Sequence, residues 1–597
     1  MKLGKYIAMM LLACATGYTF TSCSDDDSFG EAPRMFRPVA SLQVSNNSIV
    51  VDWENIKGAT SYTLDLYRVN GTDPVTGEST YDAEPYATGT CESAPYTFSD
   101  LNWDEKYMVK IKCSDGTRES AQYETKDVSV TYLTKLTNVK TIDNAARINW
   151  DEGGAQIKAI KVELQPEEEA VGGEDTPATQ AEGDATDENT FVVEVSEDEY
   201  NAGYVDIMNL LSERTYRFYA YSDSEVLDNS TYAGRLSGTT TAPEDFDASY
   251  GAGNWLDIRS WDESAKDTLS TDDFWALVND GMTVILRGDF EYNVGSDVKF
   301  SKSVTFRTGA TLGGNARFLS GGGMQCEKGA TVDKISFQNI DFYAKGWQPG
   351  GDNSVATCKK WGFSGKQVFN ESGTGSTLGT IEFKKCHIEG YRAIVRTQKD
   401  NDNIGNIIFD GCTINGIGDQ GICTTSNKKA DWGTITMKDC TVTNIVFFGD
   451  FRATANPLTI NVESCTFCYA PMETTANGNT PLFRFQKNAV SLNVTKTLFG
   501  PSMATEGSAG SKILPNQAGT AGSIFLDASN ATINVNSFKT TWGWTPIGDN
   551  AKTYPLDGLQ ELNLTETQLW QDPANGNFTI IANLPESDLG ASTWRSE

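Results

Sequence analysis

The amino-acid sequence predicts an all-β chain in which two β-sandwich modules precede a parallel β-helix. Two observations carry this, and the length of 597 residues, enough for three or four domains, allows it. Between Val332 and Phe499 one apolar frame returns, its four cysteine-centred copies 25 to 28 residues apart, the period of stacked units too small to bury their own apolar face. Between residues 36 and 243, short alternating runs bounded by turn signals occur twice in the same arrangement, as sandwich strands do.

The chain opens with Lys2 and Lys5 and an apolar run from Tyr6 to Ala13. That is the layout of an export signal, so residues 1–22 are expected to be a signal peptide. Phe20-Thr21-Ser22-Cys23 followed by Ser24-Asp25-Asp26-Asp27 resembles a bacterial lipoprotein processing site. The resemblance implies lipidation of Cys23, an acidic linker over 23–35, and a lipid-anchored place on the outer membrane at the cell surface. Leu11-Leu12-Ala13-Cys14 fits the cleavage consensus better but would leave a very short apolar run, and a plainly secreted chain is the other alternative. No later segment has the roughly 18 apolar residues of a membrane span, which makes the lipid the expected anchor.

The two sandwich modules are expected at 36–131 and 132–243. In the first, Ile49 to Trp53, Tyr62 to Tyr67 and Tyr107 to Ile111 alternate as strands. The second repeats its marks: Trp150 answers Trp53, and Leu210 and Tyr216 keep the six-residue spacing of Leu101 and Tyr107. An early-strand Trp with a later Leu and Tyr at this spacing resembles fibronectin type III modules, which implies spacers whose aromatic residues are core. Inside the second module the segment 166–190 holds nine acids and almost no large apolar residue. It cannot bury enough surface to order itself and is expected to be a disordered acidic loop.

The remainder, 244–597, is expected to be the β-helix with a capping helix at its start. Ser270-Thr271-Asp272-Asp273 reads as a helix N-terminus with acids in its first turn, Phe274 to Val278 as one apolar helix, and Asn279-Asp280-Gly281 as its stop. In the repeat, positions five and three before Cys386 and two after it are Ile381, Phe383 and Ile388. The frame recurs about Cys412, Cys440 and Cys465, upstream at Ile340 and downstream at Thr497. Alternation holds on each side, but parity slips by one across two polar or glycine residues such as Lys384-Lys385 and Asp410-Gly411. Each unit therefore reads as strand, two-residue corner, strand, with equivalent residues stacked inward. The helix, turn and strand that end in Arg287-Gly288-Asp289-Phe290-Glu291-Tyr292 resemble the N-terminal cap of the pectin-lyase-like superfamily. That resemblance spans about Ser270 to Phe578 and implies a right-handed parallel β-helix.

The four cysteines of the frame are expected to form an interior ladder. Neighbouring thiols would lie close enough to bridge, and an exported chain permits it; small buried thiols packing as hydrophobes is the simpler account. Cys465 and Cys468 have half a zinc site's spacing, but their register points them apart and no partner pair follows. No metal is expected.

Charge divides the chain: the net is −25 over 1–250 and −7 over 251–597, yet within 301–500 there are 21 bases against 16 acids. Nucleic acid is not an expected partner of so acidic an exported chain, whereas an anionic polysaccharide would be drawn to the basic coils. Val395-Arg396-Thr397, Phe451-Arg452-Ala453 and Phe483-Arg484-Phe485 follow their rung strands, with Cys423-Thr424-Thr425 in the coil between. If the flanking residues point inward, Arg396, Arg452 and Arg484 face outward together, where planar guanidiniums suit carboxylates. Ordinary exposed arginines are the alternative. Trp542 and Trp544, in a polar loop, either offer flat faces to sugar rings or cover the end of the core.

Enzyme chemistry has a thinner basis. A pectate-lyase-like enzyme would need clustered carboxylates for calcium and an Arg or Lys base. Asp450 beside Arg452 is the nearest catalytic pair, while Asp410 and Asp439 fall in corners. His387, the only histidine, falls at an outward position. The whole layout resembles the glycan-binding lipoproteins of Gram-negative polysaccharide-utilisation systems. It implies a polysaccharide-binding protein without a cofactor, an anionic plant glycan of pectic or other uronate-bearing type as ligand, and an outer-membrane glycan transporter complex as partner. The alternative is a calcium-dependent polysaccharide lyase on the same coil, and the third reading an adhesin or structural surface protein.

Overall fold

The computed structural model describes residues 34–151, 156–166, 189–347, 367–400, 402–425, 430–454, 457–473, 482–485, 489–501 and 559–595, with backbone strands at 503–505, 511–513, 524–525, 532–539 and 553–554. Cys23, residues 167–188 of the acidic segment, and both Trp542 and Trp544 lie outside the described residues.

The fold is all-β, and among the described residues the helices are short turns between strands. In the first sandwich, Ala40–Ser45, Ser48–Trp53 and Tyr96–Phe98 form one antiparallel sheet, faced by a second built on Ser61–Thr72 and Glu105–Ser114. The second sandwich sets Leu136–Thr141, Ala145–Trp150 and Tyr204–Met208 against a four-stranded sheet of Thr190–Glu194, Ala159–Leu164, Thr215–Tyr221 and Tyr232–Thr239. This strand order is fibronectin type III-like. Trp53 and Trp150 are both buried in their cores. The repeated Leu and Tyr spacing has a local cause. The Tyr107 ring is core and its hydroxyl accepts the Asn102 N–H at 3.1 Å, just as the Tyr216 hydroxyl accepts the Leu211 N–H at 2.8 Å. Each tyrosine therefore pins the loop that its leucine anchors.

The modules are fastened to each other and to the coil. Tyr232 donates to Asp104 at 2.5 Å and Arg235 Nη2 to the Asp104 carbonyl at 2.7 Å, joining the sandwiches. Arg259, at the start of the coil, grips Asp143 of the second sandwich in a two-pronged pair of 2.8 and 2.9 Å, with side-chain exposures of 4% and 7%.

From Trp255 onward parallel strands stack into a β-helix with three faces. The first runs from Trp255–Asp257 through Met282–Leu286, Val304–Thr308 and Thr331–Gln338 to Leu458–Glu463 and beyond. Along it Ile335, Ile381, Ile407, Ile435, Ile460 and Leu492 share one column, and Phe337, Phe383, Phe409, Met437, Val462 and Val494 the next. On the second face Phe318, Phe342, Ile388, Ile414, Val442, Phe467 and Phe499 share another column. All of these side chains are buried in a single core, so each coil acquires its apolar driving force only from its neighbours.

The corner between these faces explains the slip in parity. Its second residue is left-handed in every unit: Asn339, Lys385, Gly411, Asp439, Ser464 and Lys496 all have φ between 50° and 63°. One left-handed residue turns the chain while its N–H still reaches the next coil, as in Lys385 to the Asp410 carbonyl at 2.7 Å. The cysteines line up directly after this corner. Cys386, Cys412, Cys440 and Cys465 are at most 2% exposed, and the nine described cysteines are all free. They do more than pack. The Cys412 N–H donates to Cys440 Sγ at 3.3 Å and the Cys440 N–H to Cys465 Sγ at 3.4 Å, while Cys412 Sγ donates to the Phe383 carbonyl at 3.2 Å. Thr497 ends the ladder with its hydroxyl in the same place, accepting the Cys465 N–H at 3.3 Å.

The stack extends two coils upstream of the sequence repeat. Strands Met282–Leu286 with Glu291–Val294, and Val304–Thr308 with Ala316–Ser320, belong to the same faces. Their corners are longer than two residues, which removes the fixed spacing. The cap helix is Asp272–Leu277, with the Thr271 hydroxyl accepting the Phe274 N–H, preceded by a 3-10 turn at Glu263–Ser270. At the other end the parallel stack closes near residue 561. Leu559–Glu561 is its last described strand, and Leu562 and Leu564 join a separate apolar cluster that includes Phe578 and Trp594. The tail then folds back as a strap along the second face. The Ala591 N–H donates to Thr466 Oγ1 at 3.0 Å, Ser592 to Asp439, and Trp594 Nε1 to Thr441 Oγ1 at 2.6 Å.

Candidate functional site

The third face carries the predicted arginines. Its strands Gln367–Glu371, Ala393–Thr397, Gly421–Thr424, Gly449–Asp450 and Phe483–Arg484 run parallel in one ladder. Val395, Thr397, Cys423, Thr425, Phe451, Phe483 and Phe485 are buried inside, which turns Arg396, Arg452 and Arg484 outward as alternation requires.

The register differs from the expected one by two residues. The outward column reads Asn370, Arg396, Thr424, Asp450, Arg484; it is Asp450, not Arg452, that stacks on Thr424. The stretch from Ile417 to Cys423 is two residues longer than its equivalents from Tyr391 to Val395 and from Ile445 to Gly449, so an equal count from each cysteine sets Arg452, not Asp450, beside Thr424. Arg452 lies one pleat further along the same outer side. Its Nε meets Asp450 Oδ1 at 2.8 Å and its Nη2 meets Oδ2 at 2.6 Å, a two-pronged pair. From the next coil Arg484 Nη1 reaches the same Oδ2 at 3.2 Å, and its guanidinium lies over the Phe447 ring at 5.4 Å.

Burial within this cluster is uneven. The Asp450 side chain is 4% exposed, against 32% for Arg452 and 27% for Arg484. The carboxylate is the floor and the guanidiniums are the rim. Pairing with Asp450 raises the pKa of Arg452. Arg396 is in a different state: among the described residues it has no acid partner, and partial burial with the nearby Arg392 charge lowers its pKa. Arg392 itself is held two-pronged by Asp419, at 2.8 Å for each bond. A half-buried cation without a partner is a place where an anion is welcome.

Asp450 is ill placed as a base or cation ligand, since its oxygens are engaged by two arginines. Among the described residues no group of three His, Cys, Asp or Glu side chains could hold a metal ion, and no helix is long and apolar enough to cross a membrane. Cys465 and Cys468 point into different clusters. His387 faces out on the second face, where Nε2 and Glu389 Oε2 are 2.8 Å apart.

Sequence reasoning missed a buried acidic pair at the corner between third and first faces. Glu371 and Asp402 are both fully buried. Asp402 accepts the N–H groups of Gly373 at 2.9 Å and Gly375 at 2.8 Å, while Glu371 accepts the Cys326 N–H at 2.9 Å. The Thr374 hydroxyl bonds to Glu371 and lies 3.2 Å from Asp402. Burial, with the Asp402 charge adding to it, pushes the Glu371 carboxyl above its ordinary value. Glu371 is the inward residue of its strand in a position that later coils fill with Thr397, Thr425, Phe451 and Phe485, so no repeat signal marks it.

No family model matches the chain. No curated protein matches it. Among solved structures, the two fibronectin type-III domain segment from chicken tenascin is 13% identical and covers 34% of this chain and 97% of its own, with a TM-score of 0.14. The FN1-FN3 domains of chicken CNTN1 are 14% identical, covering 36% of this chain and 69% of theirs, with a TM-score of 0.13.

Proposed function

We propose that this protein is a cell-surface polysaccharide-binding lipoprotein of a glycan-utilisation system, which holds an anionic, uronate-bearing glycan against the third face of its β-helix. The reading rests on one observation above others: Arg396 and Arg484 share one outward column and Arg452 lies one pleat along the same outer side, backed by the core. Guanidiniums in a fixed array recognise carboxylates two-pronged and at little entropic cost. In this reading Cys23 carries the lipid, the two sandwiches hold the coil away from the outer membrane, the coil is of the pectin-lyase-like kind, and a glycan transporter complex takes the cargo.

Electrophoresis of the full chain through gels containing polygalacturonate, a neutral glycan or no glycan tests this. Retardation by polygalacturonate alone is expected, weakening as salt rises because exposed charges are screened within about 8 Å at physiological ionic strength. Arg396→Ala, Arg452→Ala and Arg484→Ala together should abolish it. Migration unchanged by every uronate glycan refutes the reading, and absorbance from unsaturated product in the presence of calcium would point to a lyase instead.

A further inference from the structure

We propose that Asp450 is a built-in competitor of the ligand: its carboxylate occupies the place on Arg452 and Arg484 that a carboxylate of the glycan would take. The proposal rests on the anionic-glycan reading and names the residue that sets the affinity of that site. The geometry is that of a bound acid. Arg452 meets both oxygens of Asp450 side-on, at 2.8 and 2.6 Å, and Arg484 closes on one of them at 3.2 Å. This is the fork by which a guanidinium grips any carboxylate.

The backbone fixes the competitor in place. Asp450 pairs in register with Thr424 on one side and Arg484 on the other, and Phe451 beside it is fully buried. The acid therefore cannot swing away, whereas the two guanidiniums, about 30% exposed, can turn outward. A ligand carboxylate gains its ion pairs here only by drawing the arginines off Asp450. At Arg396 it displaces nothing, because no described acid holds that residue. Removing the Asp450 charge leaves two like charges facing one neutral oxygen, and that repulsion is relieved by the incoming anion.

The experiment is calorimetric titration of oligogalacturonate into the full chain and its variants. Asp450→Asn keeps the shape and one acceptor for Arg452, and is expected to bind about two- to fivefold more tightly than wild type, the range open to partly exposed ion pairs. Arg396→Ala should lose more affinity than Arg452→Ala, since Arg452 is the better satisfied of the two without ligand. Equal or weaker binding by Asp450→Asn while wild type binds overturns the competitor and leaves the glycan reading intact. Absence of binding by both overturns both. Should Asp450→Asn not fold, as judged by its melting curve, the order of the two arginine variants decides: a greater loss for Arg452→Ala refutes the proposal.

Discussion

Replacing Cys440 separates two accounts of the thiol ladder. If the thiols only fill space, Cys440→Ala costs little and Cys440→Ser costs more, because a hydroxyl is poorer company for apolar neighbours. The bonding says otherwise. Cys440 Sγ is the acceptor for the Cys412 N–H at 3.3 Å and lies 3.1 Å from the Lys438 carbonyl. Its side chain is fully buried and its thiol kept neutral, since burial pushes its pKa up. Cys440→Ala strands that N–H in the core at about 1–3 kcal/mol. Loss of the sulfur's contacts adds about 1 kcal/mol, so the whole is about 2–4 kcal/mol. Cys440→Ser retains both an acceptor and a donor. Thr497 already shows a hydroxyl in this place, accepting the Cys465 N–H at 3.3 Å and donating to the Thr495 carbonyl at 2.9 Å. The serine variant should therefore lie within about 1 kcal/mol of wild type. Urea unfolding followed by hydrogen exchange of peptides from the coil measures both, with Cys412 as the reporting amide. A serine variant as unstable as the alanine one would refute the hydrogen-bonded ladder.

Glu371 makes a pH prediction. Its folded pKa is raised, so the stability it allows is complete below its unfolded value of about 4.3 and is lost as pH rises through the folded value. Glu371→Gln should equal wild type near pH 4 and exceed it in melting temperature at pH 8; parallel curves would remove Glu371 as the cause. At the module junction, Arg259→Ala leaves Asp143 and Asp257 as uncompensated, largely buried acids, a loss of about 3–5 kcal/mol. Calorimetry should then resolve the second sandwich and the coil as separate transitions, and a single unshifted peak would show that the ion pair does not couple them.

The fold was legible where geometry repeats. The period of the frame, its inward columns and its polar corners follow from side-chain alternation and stacking, and the sequence carries both openly. The two upstream coils were not, because Arg287 to Phe290 and Gly309 to Asn315 lengthen their corners and erase the spacing. At the site, outward parity made the three arginines readable and Asp450 stood beside Arg452 in the sequence, while their stacking was not readable: two extra residues between Ile417 and Cys423 change which side chain sits on Thr424. The Glu371 and Asp402 pair is readable only in three dimensions. It joins residues of successive coils through a threonine, and a buried acid looks like any other acid in a sequence.

The returning tail has a consequence for how the molecule is made. Stacking is a neighbour-to-neighbour affair, so each coil can settle on the one before it as the chain emerges. Ser592 meets Asp439 across a separation of 153 residues, so that clasp forms long after the coil it grips. Without the 591–594 strap, the Thr466 and Thr441 hydroxyls would lose Ala591 and Trp594 as partners. The strap thus ties together two coils far from it in the chain, and its fit requires that those coils have already stacked in register.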